Sequence, residues 1–288
     1  MTVESFFDPC TSTISYILLD RRTLDCAIID SVLDYDVKSG RTSTASADKL
    51  VTRVGELGAT VQWILETHVH ADHLSAAQYL RGLLGGKVAI GSKVVQVQEI
   101  FAEIFNAQSG VSLNGGEFDR LLDDNDLIYV GELSVRAIQT PGHTPACMTY
   151  VVSDGEDTVA FVGDTLFAPD YGTARCDFPG GDASTLYRSI GKVLCLPEQT
   201  RLYMCHDYQP GGRPLEFAST VARQRASNIH VQDGTNEAAF VEMRTARDRQ
   251  LSMPALLLPS IQVNMRAGLM PEAEGNGVSY MKIPVNRI

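Results

Sequence analysis

The chain has 288 residues, 44% of them hydrophobic and 20% charged, with a formal net charge of −11. Its lysines and arginines form no basic cluster, which excludes general electrostatic attraction to nucleic acid or an anionic lipid surface. No stretch approaches the roughly 20 apolar residues of a membrane span and no basic leader precedes the first apolar run, so the expectation is a cytoplasmic protein with a sizeable core.

In chain order, Ile14 to Leu19 and Cys26 to Asp30 are β-rich runs parted by Asp20-Arg21-Arg22, which predicts a hairpin. Leu50, Val51, Val54 and Leu57 have the spacing of an amphipathic helix over Asp48 to Leu57. Val61 to Leu65 reads as a buried strand and ends where the first histidines begin. A helix over Leu74 to Leu84, a strand over Val88 to Ile90 and a helix over Val94 to Phe105 follow. This order, strand, polar loop, helix, strand, helix, puts the loop at the carboxyl end of a strand, where open α/β sheets bind ligands.

Leu127 to Val130, Leu133 to Gln139, Cys147 to Val152 and Val159 to Val162 predict a second set of strands. Ser184 to Leu194 predicts a helix and Arg201 to Met204 a strand. Beyond them lies an irregular, proline-containing tail with one helix over about Glu237 to Gln250. The expected organisation is a catalytic domain over residues 1–230 with an extension, 231–288, packed on it.

Six cysteines are scattered without CxxC spacing in a chain too large to need disulfide staples, so they are read as reduced thiols. Cys176 stands out because it lies in a glycine-rich loop near the histidine motifs.

Of only six histidines, five fall in three motifs: His68-Val69-His70-Ala71-Asp72-His73, Pro141-Gly142-His143-Thr144 and Cys205-His206-Asp207-Tyr208. His68 and His70, two apart, cannot share a helical face, so the first motif belongs on a strand-to-helix turn that aims imidazoles and a carboxylate at one volume. Asp164, after the apolar run ending at Val162, joins them as a candidate ligand. Imidazole with carboxylate suits zinc or iron. His230 stands alone and reads as a hydrogen-bonded core histidine.

At these residues the sequence resembles the metallo-β-lactamase superfamily: Thr67 to His73, Pro141 to Thr144, Gly163-Asp164 and the late His206 match its motifs in order and spacing. The resemblance implies an α/β, αββα sandwich with the metal site at one edge. More finely, Pro141 to Cys147, Arg175-Cys176-Asp177-Phe178 with Gly180, His206-Asp207-Tyr208 and Asn264-Met265-Arg266-Ala267-Gly268 resemble the persulfide dioxygenases, the group containing the ethylmalonic encephalopathy protein, and suggest a bacterial branch. Ala174 and Cys176 stand where that family has glycine and threonine.

That resemblance implies one Fe(II) held by His68, His143 and Asp164, a facial set that leaves three positions open. His70, Asp72, His73 and His206 would then support the ligands or hold a second metal. The implied reaction adds both atoms of O2 to the terminal sulfur of glutathione persulfide or a similar low-molecular-weight persulfide, giving sulfite and the thiol in sulfide oxidation. Arg175, Tyr208 and Arg266 are expected to grasp the anionic tripeptide. A homodimer and a sulfurtransferase that delivers the persulfide are the expected partners.

The alternative enzyme is a glutathione thioesterase of the glyoxalase II kind with two Zn(II): one on His68, His70, His143 and Asp164, the other on Asp72, His73, Asp164 and His206. The loop at Arg175 departs from the thioesterase pattern. A non-catalytic metal or redox sensor is the third reading, but the paired, exposed cysteines such a sensor uses are missing.

Overall fold

The computed structural model describes residues 1–107 and 110–287. The chain forms strands β1 (Thr2–Asp8), β2 (Thr13–Leu19), β3 (Asp25–Ile29), β4 (Val32–Asp36) and β5 (Arg41–Ser43), then helix α1 (Ala45–Leu57) and strands β6 (Thr60–Leu65) and β7 (Leu74–Ser75). Helix α2 (Ala77–Leu84), β8 (Lys87–Gly91), α3 (Val94–Ile104), β9 (Arg120–Leu122), β10 (Leu127–Val130), β11 (Leu133–Gln139), β12 (Met148–Ser153) and β13 (Thr158–Phe161) follow. The rest is α4 (Ala183–Leu194), β14 (Arg201–Tyr203), β15 (Ala218–Thr220), α5 (Val221–Ser227), α6 (Glu237–Asp248) and α7 (Leu257–Asn264).

Two six-stranded sheets, β1-β2-β3-β6-β8-β9 and β10-β11-β12-β13-β14-β15, carry most of the strands, and β5-β4-β7 form a small third sheet. Side-chain alternation in β2 builds the layers. Ile14, Tyr16 and Leu18 enter a core shared with Val135, Tyr150 and Phe161 of the second sheet. Ile17 and Leu19 point the other way, onto Leu50, Val54 and Leu80 of α1 and α2. On the far side, Val151, Ala160 and Leu202 pack against Leu186 and Ile190 of α4 and Phe240 of α6. Helices therefore cover both outer faces of a sandwich of two sheets, the expected αββα arrangement.

The predicted strands and helices fall close to observed ones, the short elements β4, β5, β9, β15 and α5 were not predicted, and three further differences have physical reasons. Leu74 and Ser75 pair with Leu33 and Val32 of β4, so α2 begins at Ala77 rather than Leu74. β1 lies at a sheet edge and is only half-buried along most of its length, which left its sequence without a strong apolar signal. Helix α7 lies in the tail expected to be irregular, with Pro259 in its first turn, where proline has no amide bond to break. No helix among the described residues is long and apolar enough to cross a membrane.

Four loops meet at one edge of the sandwich, following β6, β11, β13 and β14. They carry His68, His143, Asp164 and His206.

Candidate metal centre

After β6 the chain runs through the first histidine motif with Val69 and Ala71 turned into the apolar core, 1% and 5% exposed. Those apolar anchors fix the loop and leave His68, His70 and His73 buried around one polar volume. Two glycines allow the other loops to approach. Gly142 has φ +138°, and a Cβ there would lie 2.4 Å from the Leu186 backbone. Gly163 has φ +51°, and its Cβ would lie 2.6 Å from Thr67 Oγ1. Both positions need the residue without a side chain.

His68 Nε2 and His143 Nε2 stand 3.8 and 3.6 Å from Asp164 Oδ2. On the other side of the same carboxylate, His206 Nε2 is 3.4 Å from Oδ1 and 3.0 Å from Asp72 Oδ2. His73 Nδ1 is 3.1 Å from Asp72 Oδ1. Two groups built from the motif residues alone have ligand atoms within 4.8 Å of one another, His68, His143 and Asp164, and His70, Asp72, His73 and His206, and Cys205 completes two that overlap them, with Asp30 and His70 and with Asp164 and His206. Ligands about 2.1 Å from a shared ion stand roughly 3 to 4 Å apart, so both groups have the compactness of a coordination shell.

The unused atoms test this. His68 Nε2, Asp164 Oδ1, His73 Nε2, His206 Nε2 and His70 Nδ1 are buried without a hydrogen-bond partner. Burying polar atoms unpaired is costly, and a metal ion is the group that these lone pairs fit.

Supporting contacts decide which ring nitrogens face the centre. His143 Nδ1–H donates to the Arg175 carbonyl at 2.8 Å. His68 Nδ1 is 3.0 Å from Thr67 Oγ1, and that hydroxyl donates to Asp30 Oδ2 at 2.9 Å. Both rings therefore present a bare Nε2, the arrangement that fixes a metal-binding tautomer. His70 differs, because its Nε2 lies 3.0 Å from Asp30 Oδ1 and 3.2 Å from Glu66 Oε2.

Electrostatics follows the same division. Burial and the surrounding imidazoles push His68 well below the usual histidine range, and burial with His70 beside it holds His73 down to about 4, so both keep lone pairs at neutral pH. Burial also works against charge on His70, but the Asp30 and Glu66 carboxylates outweigh it and raise this histidine well above its ordinary value. Burial raises Asp164, with His206 and His143 opposing.

A cleft of about 400 Å³ opens onto His143 and Asp164, a size suited to a small-molecule ligand. Tyr208 lies on its wall, stacked on Tyr171 at 4.6 Å. Arg175 also borders the cleft, but its guanidinium is bound twice by Asp177, at 2.6 and 2.7 Å, and donates to the Ser252 carbonyl. The expectation of a free substrate-binding fork at Arg175 is corrected, because its donors are already engaged.

Arg266 requires a further correction. It is buried, donates to the Gln262 and Gly110 carbonyls, and lies outside the cleft wall, so it braces the backbone. Its neighbour Asn264 serves the site instead. Asn264 Nδ2 donates to the His70 and His73 carbonyls at 2.9 and 2.7 Å, and its Oδ1 accepts from Ser75 N–H at 2.8 Å.

Arg247 is a cleft residue that sequence reasoning missed. It lies on the cleft wall over the Tyr171 ring, 5.9 Å from its centroid, and has no carboxylate partner among the described residues. Its helix was predicted, but no local signal says which face of a C-terminal helix meets a distant cleft. His230 stays apart from the metal centre, accepting the Thr173 N–H at 3.0 Å, as expected of a core histidine.

Cys176 is buried and all six cysteines are free.

The family model of the metallo-beta-lactamase superfamily matches residues 12–206. A probable metallo-hydrolase of Burkholderia pseudomallei is 64% identical, with all of both chains covered. Glyoxylase B2 of Dictyostelium discoideum is 50% identical, covering 99% of this chain and 97% of its own. The mitochondrial persulfide dioxygenase ETHE1 of Homo sapiens is 30% identical over 93% of this chain and 89% of its own. Among solved structures, ETHE1 from Myxococcus xanthus superposes with a TM-score of 0.73 at 27% identity, covering 93% of this chain and all of that one.

Proposed function

The chain belongs to the metallo-β-lactamase superfamily, and from that premise we propose that it is a non-heme iron persulfide dioxygenase acting on glutathione persulfide or a similar low-molecular-weight persulfide. The observation that carries this reading is the gathering of the His68, His143 and Asp164 ligand atoms within 4.8 Å of one another. His68, His143 and Asp164 make a two-histidine, one-carboxylate set, while the Nε2 of His70 is turned to Asp30 and Glu66. A relative named as a persulfide dioxygenase, similar over 93% of the chain, supports the same reading.

His68, His143 and Asp164 would hold a ferrous ion, which would supply the route by which O2 reacts with a sulfur nucleophile. The overall balance is one persulfide, one O2 and one water giving one thiol, one sulfite and two protons. The chain's own contribution is placement. His68 and His143 are locked by Thr67 and the Arg175 carbonyl, and the cleft brings a substrate's sulfur end to the buried Asp164 side. Arg247, Tyr171 and Tyr208 offer a cation and two aromatic rings along the cleft wall, which suits a thiol that carries a carboxylate.

A specific observation favours a second reading, a dinuclear zinc thioesterase. His70 Nδ1, His73 Nε2 and His206 Nε2 are unpartnered too, so the second group also fits a metal. The relatives named metallo-hydrolase and glyoxylase B2 agree with that reading. Metal analysis of protein purified without oxygen separates the two. The dioxygenase reading expects about one iron per chain, and two zincs per chain would overturn it.

A further inference from the structure

The stretch from Thr173 to Cys176 passes beneath the metal centre, and its middle carbonyl, that of Arg175, accepts the Nδ1–H of His143 at 2.8 Å. Two side chains of α6 grip this stretch on either side of that carbonyl. Arg244 Nη1 donates to the Thr173 carbonyl at 3.0 Å. Asp248 Oδ2 accepts from Cys176 N–H at 2.9 Å. The two side chains are also bound to each other, Nε to Oδ1 at 2.8 Å, with exposures of only 1% and 5%.

Helix packing alone does not call for this pair. Desolvating two charges offsets most of what their attraction returns, and well-packed apolar side chains serve a buried helix face as well or better. Phe240, one turn earlier, already does that packing against α4. The ion pair does something apolar groups cannot: it satisfies one acceptor and one donor of the backbone that bracket Arg175. It also comes from beyond residue 206, where the match to the superfamily ends.

We propose that Arg244 and Asp248 are positioning residues for the metal ligand His143, acting through the main chain of Arg175. Helix α6 is then part of the machinery that holds the metal. The inference concerns a ligand common to the iron and zinc readings, so it stands whichever reaction the site performs.

The test is metal release from Zn(II)-loaded full-length protein challenged with EDTA, each variant measured at the same interval below its own melting temperature. Asp248→Asn is compared with Phe240→Leu, which disturbs the same helix without touching the loop. The double variant Arg244→Met, Asp248→Leu removes both charges together and carries the test if Asp248→Asn does not fold. Loss of such supporting contacts changes metal affinity by about 10- to 100-fold. The expected result is release at least about tenfold faster in Asp248→Asn and in the double variant, with Phe240→Leu releasing at the wild-type rate. Equal release rates in all variants at matched intervals below melting would show that the pair serves folding only and overturn the proposal.

Discussion

Arg175 holds His143 through its main chain, its carbonyl accepting the imidazole Nδ1–H at 2.8 Å while its guanidinium is committed to Asp177. Side chain and backbone of this one residue therefore separate in a mutational experiment. Arg175→Ala keeps the carbonyl and is expected to retain bound metal, whereas His143→Ala loses a ligand and is expected to retain none. Metal content after gel filtration checks both, and loss of metal from Arg175→Ala would count against the backbone role.

Arg247 is the cleft-wall guanidinium without a carboxylate partner among the described residues. A charged hydrogen bond to a substrate carboxylate is worth about 1.5 kcal/mol or more, so Arg247→Met is expected to raise KM for glutathione persulfide about tenfold with kcat little changed. Arg266→Met should act differently. Its guanidinium binds the Gln262 and Gly110 carbonyls, so a lower melting temperature with an unchanged KM is expected. The reverse pattern in steady-state kinetics and thermal melts would reassign the two arginines.

Gly142 is pressed against the Leu186 backbone with φ at +138°, and backbone atoms cannot move aside for a methyl group. Gly142→Ala is therefore expected to cost about 3 kcal/mol or more and to displace the His143 loop. Denaturant unfolding together with metal content reports both effects, and a stable, metal-replete variant would contradict the close approach.

His230 accepts the Thr173 N–H, and burial together with the nearby Arg244 and Arg247 lowers it from 6.5 to about 4. A histidine lowered in the folded state takes up its proton more readily in the unfolded chain. Its contribution to stability is thus complete above pH 6.5 and declines as the pH falls toward 4. Melting temperatures should fall faster for the wild type than for His230→Gln across this window. Parallel curves would mean that His230 does not titrate in this way.

The candidate metal donors could be picked out because their chemistry is local. His68 to His73, His143, Asp164 and His206 each follow an apolar run that ends at the same edge of the sandwich. The central strands of the two sheets were legible for the same reason, since runs such as Ile14 to Leu19 are apolar on both faces and can only be buried. What could not be read depends on contacts between distant segments. Arg175 and Arg266 look like binding residues by type, yet Asp177 and the Gln262 and Gly110 carbonyls had already claimed them. Asn264 reaches the histidine loop from nearly two hundred positions away, and its value lies in two carbonyls that no motif displays. The orientation of His70 toward Asp30 and Glu66 rests on three residues brought together by the fold.

Oxygen uptake measured against sulfite formation tests the central claim most directly. With glutathione persulfide and anaerobically purified, iron-containing protein, the account predicts one O2 consumed for each sulfite and each glutathione produced, and no uptake in His143→Ala. Hydrolysis of a glutathione thioester by zinc-loaded protein, with no oxygen consumed on addition of the persulfide to the iron form, would contradict it.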